Sequence, residues 1–344
     1  DNKLDKGELR NNVSRKVRLD NRWIDLRCNT NQLIMICKGI LCKQFRDIFW
    51  EKDFTEIFTS KLIGTASEGG ANVFEIKYFD KIAYLAQSPQ LYKQICINSG
   101  LKRVFEIAPV FRADNANTRR HLCEFISVDM EMEIEPNDSG EYGYEYLTSE
   151  IWKILTSAFN KLGEHKDAKE LLALQCTVAP TMGDEPCVLT FGKGCELLEK
   201  NGFAQSPQDD LSTEHEKALG DIVKAEYGSD LFILTEYPSS VRPFYTHPLP
   251  GDPTKTLSYD IILRGNEISS GARRINDYDM LIESIKSNNI NPDTLKGYTD
   301  AFKHGSPPHG GCAFGMERLI MLYFNLSNVQ RVATFPRTPK RLTP

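Results

Sequence analysis

The sequence has no run of about 18 apolar residues, the length that a helix needs to cross a membrane. It also lacks an excess of positive charge, since 42 Lys and Arg oppose 47 Asp and Glu and leave a net charge of −5. A protein that binds nucleic acid with its whole surface is usually basic. The sequence therefore predicts no membrane span, and any nucleic-acid partner must meet a local basic patch.

No two of the nine cysteines form a CxxC pair. The nearest two, Cys37 and Cys42, are spaced as on one apolar stripe of a helix. Zinc sites and disulfide frameworks use tighter or paired spacings. We therefore expect buried, reduced thiols, which fit the cytoplasm. Histidine is scarce as well, and of the six present only His121 and His309 lie in motif-like surroundings.

The 344 residues, 40% of them hydrophobic, suffice for one large domain or for a domain with an insertion. Apolar residues at helical spacing predict a helix that begins at Asn29 or Thr30, and an amphipathic helix over 139–162. Strand patterns alternate with helices without a steady βαβ rhythm. This favours an α+β fold, with an antiparallel sheet surrounded by helices. We interpret 163–235 as a small helical insertion and 1–28 as a charged connector.

The stretch "FRADNANTRRHLCEFISVDMEMEI", residues 111–134, carries more charge than a strand made only for packing requires. Strand alternation puts Asp129 and Glu131 on one face and apolar residues on the other. The preceding "VFEIAPVFR" is a second strand that ends in Arg112. If the two strands pair, 113–121 form the loop between them, and Arg112 and Asp129 share a polar face. A solvated sheet face with ordinary ion pairs is the alternative interpretation.

A second polar segment, "SYDIILRGNEISSGARRI", places Asp260 and Glu267 on either side of a turn. Two carboxylates that lie close together repel each other unless a cation separates them. Mg²⁺ that bridges phosphates is the usual occupant of such a site. A polar hairpin with a salt bridge is the alternative interpretation.

A third segment, "GGCAFGMERLIM", predicts a strand, then Gly315, then a helix with Arg318 in its first turn. Arginine at a helix N-terminus adds to the attraction of that end for an anion, although a glycine before a helix is common. Lys93 and Arg274 add two more cations. Such a set suits a phosphate-rich ligand with a metal, together with a small acidic ligand.

In this order the segments resemble the class II aminoacyl-tRNA synthetases of subclass b, and among them the aspartyl-tRNA synthetases of the eukaryotic and archaeal type. The resemblance runs from "RLDNRWIDLR" to the last residue. It rests on "SEGGANVF", "YLAQSPQLYKQ", "PVFRADNANTRRHLCEF", "DMEM", "DLST", "RPFYT", "SGARRI" and "PRTPKRLTP". It implies a homodimer, and a linker at 1–28 that leads from an N-terminal anticodon-binding OB domain, missing from this sequence, into a catalytic domain at 29–344.

The resemblance also implies a cytoplasmic ligase that acts in two steps, with Mg²⁺ as cofactor. The α-carboxylate of L-aspartate attacks the α-phosphorus of ATP, and pyrophosphate leaves. The 3′-OH of tRNA(Asp) then attacks the aspartyl-adenylate. Positioning and charge neutralisation are expected to carry catalysis, without a dedicated protein base.

For ATP, the resemblance assigns the catalytic roles to Arg112, His121 and Arg318. Arg112 holds the α-phosphate and the attacking carboxylate, while His121 and Arg318 hold the γ-phosphate. Phe125 and Arg318 enclose the adenine. The ATP-binding residues that the resemblance implies are Arg112, Asp114, Arg120, His121, Leu122, Phe125, Glu267, Gly315 and Arg318.

For the amino acid, the resemblance assigns the substrate ammonium to Asp129 and the side-chain carboxylate to Lys93 and Arg274. It assigns Mg²⁺ to Asp260 and Glu267. The remaining aspartate-binding residues that it implies are Glu68, Gln90, Arg112 and Ser270.

Asparaginyl-tRNA synthetase is the alternative within the family. A site with both Lys93 and Arg274 would leave charge unpaired beside a neutral asparagine, at a cost of roughly 1.5–3 kcal/mol for each charged hydrogen bond. The "HGG" before the third motif has an asparaginyl character. A catalytically inactive binding module and an ammonia-dependent asparagine synthetase on the same core are further alternatives.

Three places depart from the family pattern. Ser60 replaces the proline of the first motif, which lies at the dimer interface. Cys312 and Ala313 replace glycines of the third motif. In the loop of the second motif, Asp114 replaces glutamate and Ala116 replaces serine.

Overall fold

The computed structural model describes residues 13–65, 73–116 and 118–343. Its helices are α1 Arg15–Asp20, α2 Arg22–Asp25, α3 Asn29–Glu51, α4 Gln90–Asn98, α5 Glu145–Glu164, α6 Lys166–Leu174, α7 Phe191–Lys200, α8 Thr213–Tyr227, α9 Tyr278–Ser287, α10 Lys296–Thr299 and α11 Met316–Tyr323. Its strands are β1 Thr55–Glu56, β2 Leu62–Ile63, β3 Glu75–Tyr78, β4 Lys81–Leu85, β5 Arg103–Phe111, β6 Glu124–Glu133, β7 Val188–Thr190, β8 Leu231–Thr235, β9 Pro248–Leu249, β10 Asp252–Thr256, β11 Ser258–Leu263, β12 Asn266–Arg273 and β13 His309–Gly315.

Eight of the described strands form one sheet, in the order β1-β5-β6-β13-β12-β11-β8-β7. From β5 to β8 every neighbouring pair is antiparallel. The outermost pairs, β1 with β5 and β7 with β8, are parallel. The predicted α+β fold with a largely antiparallel sheet surrounded by helices is therefore confirmed.

The apolar face of this sheet packs against α3, α5 and α11. Apolar residues recur at helical spacing in α3, and this stripe meets the sheet through Phe45 and Phe49. The Phe45 ring lies 5.9 Å from that of Phe314, and the Phe49 ring lies 4.6 Å from that of Phe105. Each such buried side chain contributes about 1.5–3 kcal/mol to stability. This core holds the strands in register and leaves their other face for polar side chains.

The predicted alternation along β6 is present. Val128 and Met130 are fully buried in the core, whereas Asp129 and Glu131 point to the opposite face. Asp129 lies opposite Glu106 on β5 and opposite Ala313 on β13. The pairing register of β5, β6 and β13 therefore brings Glu106 and Asp129 together on the polar face of the sheet.

Residues 163–235, the predicted insertion, contain strands as well as helices. Their strands β7 and β8 extend the main sheet, where β8 pairs with β11. Helix α8 lies against the turn between β11 and β12 at very close range. A Cβ atom placed on Gly220 would lie 2.4 Å from the Cα of Gly265. The segment is thus built into the face that carries the polar residues.

The helix predicted over 139–162 begins later, at Glu145. Two glycines precede it, and Gly140 has φ of +83°, outside the helical region. Residues 54–63 form only the short strands β1 and β2. Between them Thr59 turns its backbone N–H and its hydroxyl to the Glu106 carboxylate, so this backbone leaves the sheet.

The connector is anchored at Arg22, which is only 1% exposed. Its guanidinium donates hydrogen bonds to the carbonyls of Arg331, Ala333 and Thr334 and pairs with Asp25. The described part of the connector is therefore fixed to the segment that follows α11.

All nine cysteines lie in described parts of the chain and are unpaired, as the sequence predicted. Most are buried or half-buried, but Cys176 is exposed. Burial raises the pKa of the Cys37 and Cys312 thiols to about 12, so they stay protonated and unreactive. Among the described helices, none is both long and apolar enough to cross a membrane.

Candidate active site

A cavity of about 360 Å³ opens on the polar face of the sheet. Most of the site residues predicted from the sequence line it. They are Gln90, Arg112, Asp114, Arg120, His121, Leu122, Phe125, Asp129, Glu267, Ser270, Arg274, Gly315 and Arg318. Lys93 and Asp260 lie outside this lining, and each forms an ion pair with a residue within it, Lys93 with Asp129 and Asp260 with Arg242. Glu68 lies outside the described residues.

Arg112 follows β5 directly and lines the cavity, and it forms no ion pair with any residue that the structure describes. Its guanidinium carbon lies 5.5 Å from the centre of the Phe125 ring. Its Nε is buried and has no hydrogen-bond partner among the described residues. A buried donor without an acceptor costs about 1–3 kcal/mol. An anionic ligand would relieve that cost.

Arg318 is held by two backbone carbonyls. Its Nη1 donates to the carbonyl of Glu267 at 2.7 Å, and its Nη2 donates to the carbonyl of Arg120 at 3.4 Å. Nearby, Nδ1 of His121 lies 2.5 Å from the hydroxyl of Thr118. Burial, together with Arg318 and Arg120, lowers the pKa of His121 below its usual 6.5. The imidazole is therefore uncharged at pH 7 and serves as a hydrogen-bonding group.

Two cations pair with two carboxylates at the cavity wall, where Asp129 and Arg274 belong to the lining and Lys93 and Glu131 lie behind it. Lys93 Nζ lies 3.4 Å from Asp129 and 3.3 Å from Glu131. Arg274 reaches the two oxygens of Glu131 through Nε at 2.8 Å and Nη2 at 3.2 Å. The sequence placed Glu131 on this face but gave it no role. The available signal was the strand alternation, which put Glu131 on the same face as Asp129.

The two carboxylates differ in acidity. Burial raises the pKa of Asp129, and Lys93 only partly opposes this effect. Burial also acts on Glu131, but Arg274 and Lys93 outweigh it and lower the pKa of Glu131. Glu131 is therefore the more acidic of the two carboxylates. When both carboxylates are ionised, the four charges balance before any ligand binds.

Arg242 also lines the cavity, although its sequence surroundings indicated no role for it. Its guanidinium binds both oxygens of Asp260, at 2.9 and 2.8 Å, and donates to Ser270 at 2.8 Å. It also stacks on Tyr237, with 3.7 Å from the guanidinium carbon to the ring centre. Arg242 is the first residue of the motif "RPFYT", but its partner Asp260 lies further along the chain, on β11. Asp260 is therefore already paired with a cation.

Glu267 is the carboxylate that suits a metal ion. Burial and the neighbouring Asp260 raise the pKa of Glu267 to about 7. A divalent cation would relieve this repulsion, because it favours the ionised form. No group of three or more His, Cys, Asp or Glu in the described parts of the chain could hold a metal alone. Mg²⁺ needs only one or two carboxylates when phosphates and water supply the other ligands. The residues therefore fit a cation that arrives with a polyphosphate.

A first prediction concerns this raised pKa. The folded protein binds a proton at Glu267 more tightly than the unfolded chain does, so stability falls as pH rises from about 4.5 to about 7. We expect Glu267→Gln to raise the free energy of unfolding at pH 8 by up to about 3 kcal/mol and to change it little at pH 5. Urea unfolding at both pH values measures this, with the exposed Glu214→Gln as control. Equal effects at the two pH values would contradict it.

The model of the family "tRNA synthetases class II (D, K and N)" matches residues 14–339. The chain is 44% identical over 339 residues to the cytoplasmic aspartate–tRNA ligase of Homo sapiens. That alignment covers 98% of this chain and 66% of the relative, so the chain spans slightly less than two thirds of the length of that protein.

Among solved structures, the aspartyl-tRNA synthetase from Entamoeba histolytica matches with a TM-score of 0.87 and 39% identity, over 98% of this chain and 65% of that chain. The asparaginyl-tRNA synthetase from Pyrococcus horikoshii, complexed with asparaginyl-adenylate, matches with the same TM-score of 0.87 but 30% identity, over 96% of this chain and 74% of that chain. Fold similarity alone therefore does not separate the two amino acids.

Proposed function

We propose, because the chain belongs to the class II tRNA synthetases (D, K and N), that it is the catalytic part of a cytoplasmic aspartate–tRNA ligase. It would activate L-aspartate with ATP and transfer the aspartyl group to the 3′ end of tRNA(Asp). The observation that carries this proposal is one cavity lined by Arg112, Arg318 and Arg274, in which the buried Nε of Arg112 has no hydrogen-bond partner among the described residues.

In the first step, an oxygen of the substrate α-carboxylate forms a bond to the α-phosphorus, and the bond to pyrophosphate breaks. The Arg112 guanidinium binds both reacting groups and neutralises the charge that builds up between them. Arg318 and the uncharged His121 hold the far end of the triphosphate, and Phe125 offers its ring to the adenine. Mg²⁺, held by Glu267 beside the Asp260–Arg242 pair, would neutralise phosphate charge.

The cluster of Lys93, Arg274, Asp129 and Glu131 has no excess positive charge with which to attract aspartate, so recognition depends on individual donor groups. The bonds of Arg274 to Glu131 use Nε and Nη2. We propose that Nη1 takes the side-chain carboxylate of the substrate, with Lys93 behind it. Asp129 takes the ammonium group. The carboxylate of aspartate then gains a partner that a neutral amide cannot match in strength.

The neutral cluster is also the observation that keeps asparagine as a second candidate. Lys93 and Arg274 each have a protein carboxylate within ion-pair distance. The neutral side chain of a bound asparagine would therefore not leave these two cations without a counter-ion. The choice between the two amino acids therefore has to be measured.

The test is exchange of labelled pyrophosphate into ATP, with Mg²⁺ and with aspartate and asparagine in parallel. We expect exchange with aspartate, and exchange with asparagine at least about tenfold weaker, as for the loss of one charged hydrogen bond. The reverse preference would support the asparaginyl alternative. No exchange with either would support an inactive binding module. Formation of labelled asparagine from labelled aspartate and ammonia, without tRNA, would identify an asparagine synthetase.

We further propose a homodimer through α3 and the region β1–β4. Large apolar side chains are exposed there, among them Trp50 at 57%, Phe58 at 85% and Ile82 at 60%. Exposed apolar patches of this kind are typical of interfaces. Sedimentation velocity on the same sample should give twice the mass of one chain. A monomer at micromolar concentration would contradict the proposal and would point to Ser60, which replaces the family proline.

A further inference from the structure

Four residues from four separate segments form a closed ring of hydrogen bonds beside the cavity. The Glu216 carboxylate accepts from Nη1 of Arg120 at 2.7 Å and from the backbone N–H of Glu267 at 3.3 Å. Arg318 closes the ring through the carbonyls of Glu267 and Arg120, at 2.7 and 3.4 Å. Glu216 lies on α8, so this helix is connected to three cavity residues that the resemblance assigns to ATP.

The helix that carries Glu216 is itself firmly placed. The Ser212 hydroxyl caps its first turn by accepting from the N–H of His215 at 3.1 Å. Thr213 supplies a second contact to Arg120, whose Nη2 donates to the threonine hydroxyl at 2.7 Å. Gly220 lies directly on the turn at Gly265. Helix α8 therefore has little freedom to move relative to the turn that precedes Glu267.

Glu216 carries a charge that packing alone would not require. The residue is 7% exposed and lies close to Glu267, which already neighbours Asp260. A third carboxylate in this place adds repulsion, which a neutral side chain would avoid. The charge is useful if its purpose is to hold the Arg120 guanidinium, because a charge-assisted pair is shorter and stronger than a neutral hydrogen bond.

We propose that Glu216 is a positioning residue for ATP. It holds the Arg120 side chain on α8 and thereby fixes the Arg120 carbonyl that orients Arg318. Arg120 then acts as a connection between α8 and Arg318, and Arg318 meets the triphosphate. The inference rests on the proposed function in naming ATP as the ligand.

The test compares Glu216→Gln with the matched control Glu214→Gln, which alters an exposed glutamate in the same helical turn. ATP affinity is measured by calorimetry without amino acid. The KM values for ATP and for aspartate are measured by pyrophosphate exchange. We expect Glu216→Gln to weaken ATP binding about tenfold or more and to leave the KM for aspartate within about twofold, as for the loss of one charged hydrogen bond far from the amino acid. Glu214→Gln should match the wild type.

Wild-type ATP affinity in Glu216→Gln would overturn the inference, and so would equal losses for both substrates. If Glu216→Gln does not fold, Thr213→Ala removes only the second contact to Arg120. A selective loss of ATP affinity would then support the inference, and no loss would overturn it. If the wild type binds ATP but shows no exchange with aspartate, the proposed function fails, and the ATP affinities still decide the role of Glu216. A wild type that binds no ATP overturns both.

Discussion

Replacing Arg112 by glutamine is expected to lower aspartate-dependent pyrophosphate exchange by about 10³-fold, as for the loss of a donor aimed at charge that develops in a transition state. The same change should alter the free energy of unfolding by less than about 1 kcal/mol, because removal of the unpartnered donor and loss of the contact with the Phe125 ring offset each other. The reason is that Nε of Arg112 has no hydrogen-bond partner among the described residues, while the guanidinium carbon lies 5.5 Å from the centre of the Phe125 ring. The folded chain therefore gains little from this cation, whereas an anionic substrate gains much.

Exchange kinetics and urea unfolding on the same preparations measure both effects. Arg119→Gln is the matched control, since Arg119 is exposed and lies on the same loop. Without tRNA in the assay, this control should keep wild-type exchange. A loss below about tenfold in Arg112→Gln would show that Arg112 does not contact the reacting groups, because even one neutral donor is worth more. A large loss of stability would show instead that Arg112 supports the fold.

The second large effect is on stability. We expect Glu131→Gln to lower the free energy of unfolding at pH 7 by about 3–5 kcal/mol, because removing one partner leaves buried charge uncompensated. Glu131 is fully buried and serves both Lys93 and Arg274, so the change leaves one carboxylate, Asp129, for two cations. Urea unfolding gives the value. Glu133→Gln, at the end of the same strand and only partly buried, should stay within about 0.5 kcal/mol of the wild type.

The same residue predicts a dependence on pH. The pKa of Glu131 lies below its usual 4.5 in the folded protein, so its stabilisation is complete above pH 4.5 and is lost as pH falls through the folded value. The difference between the wild type and Glu131→Gln should therefore narrow in acid. A difference that stays constant down to the pH of acid unfolding would mean that shape, and not charge, stabilises this part of the structure.

Strand periodicity was enough to find much of this site. Alternation along β6 placed Asp129 and Glu131 on the polar face, and residues implied by the family motifs meet in one cavity. These signals are local in sequence, because the side-chain direction in a strand follows from residue parity. The resemblance to the tRNA synthetases then supplied roles for residues whose spacing alone was equally compatible with a solvated sheet face and ordinary ion pairs.

The sequence could not show which ion-pair partners meet when segments distant in the chain come together in the fold. Arg242 neutralises Asp260 because β11 brings the two together, and no spacing rule connects a loop arginine with a strand carboxylate. Glu216 was hidden in a segment taken as an insertion. A helical pattern shows which face is apolar, but not which groups the polar face will meet. The assignment of Lys93 and Arg274 as open carboxylate receptors likewise overlooked Glu131 between them.

The anchoring of the connector by Arg22 bears on how this protein can change over evolutionary time. Arg22 binds the carbonyls of Ala333 and Thr334, groups that every amino acid possesses. Substitution of those two side chains therefore leaves the acceptors in place, whereas substitution of Arg22 removes every donor at once. The part of the attachment that Arg22 supplies thus tolerates substitutions in the acceptor segment, whereas on the connector side it depends on a single codon.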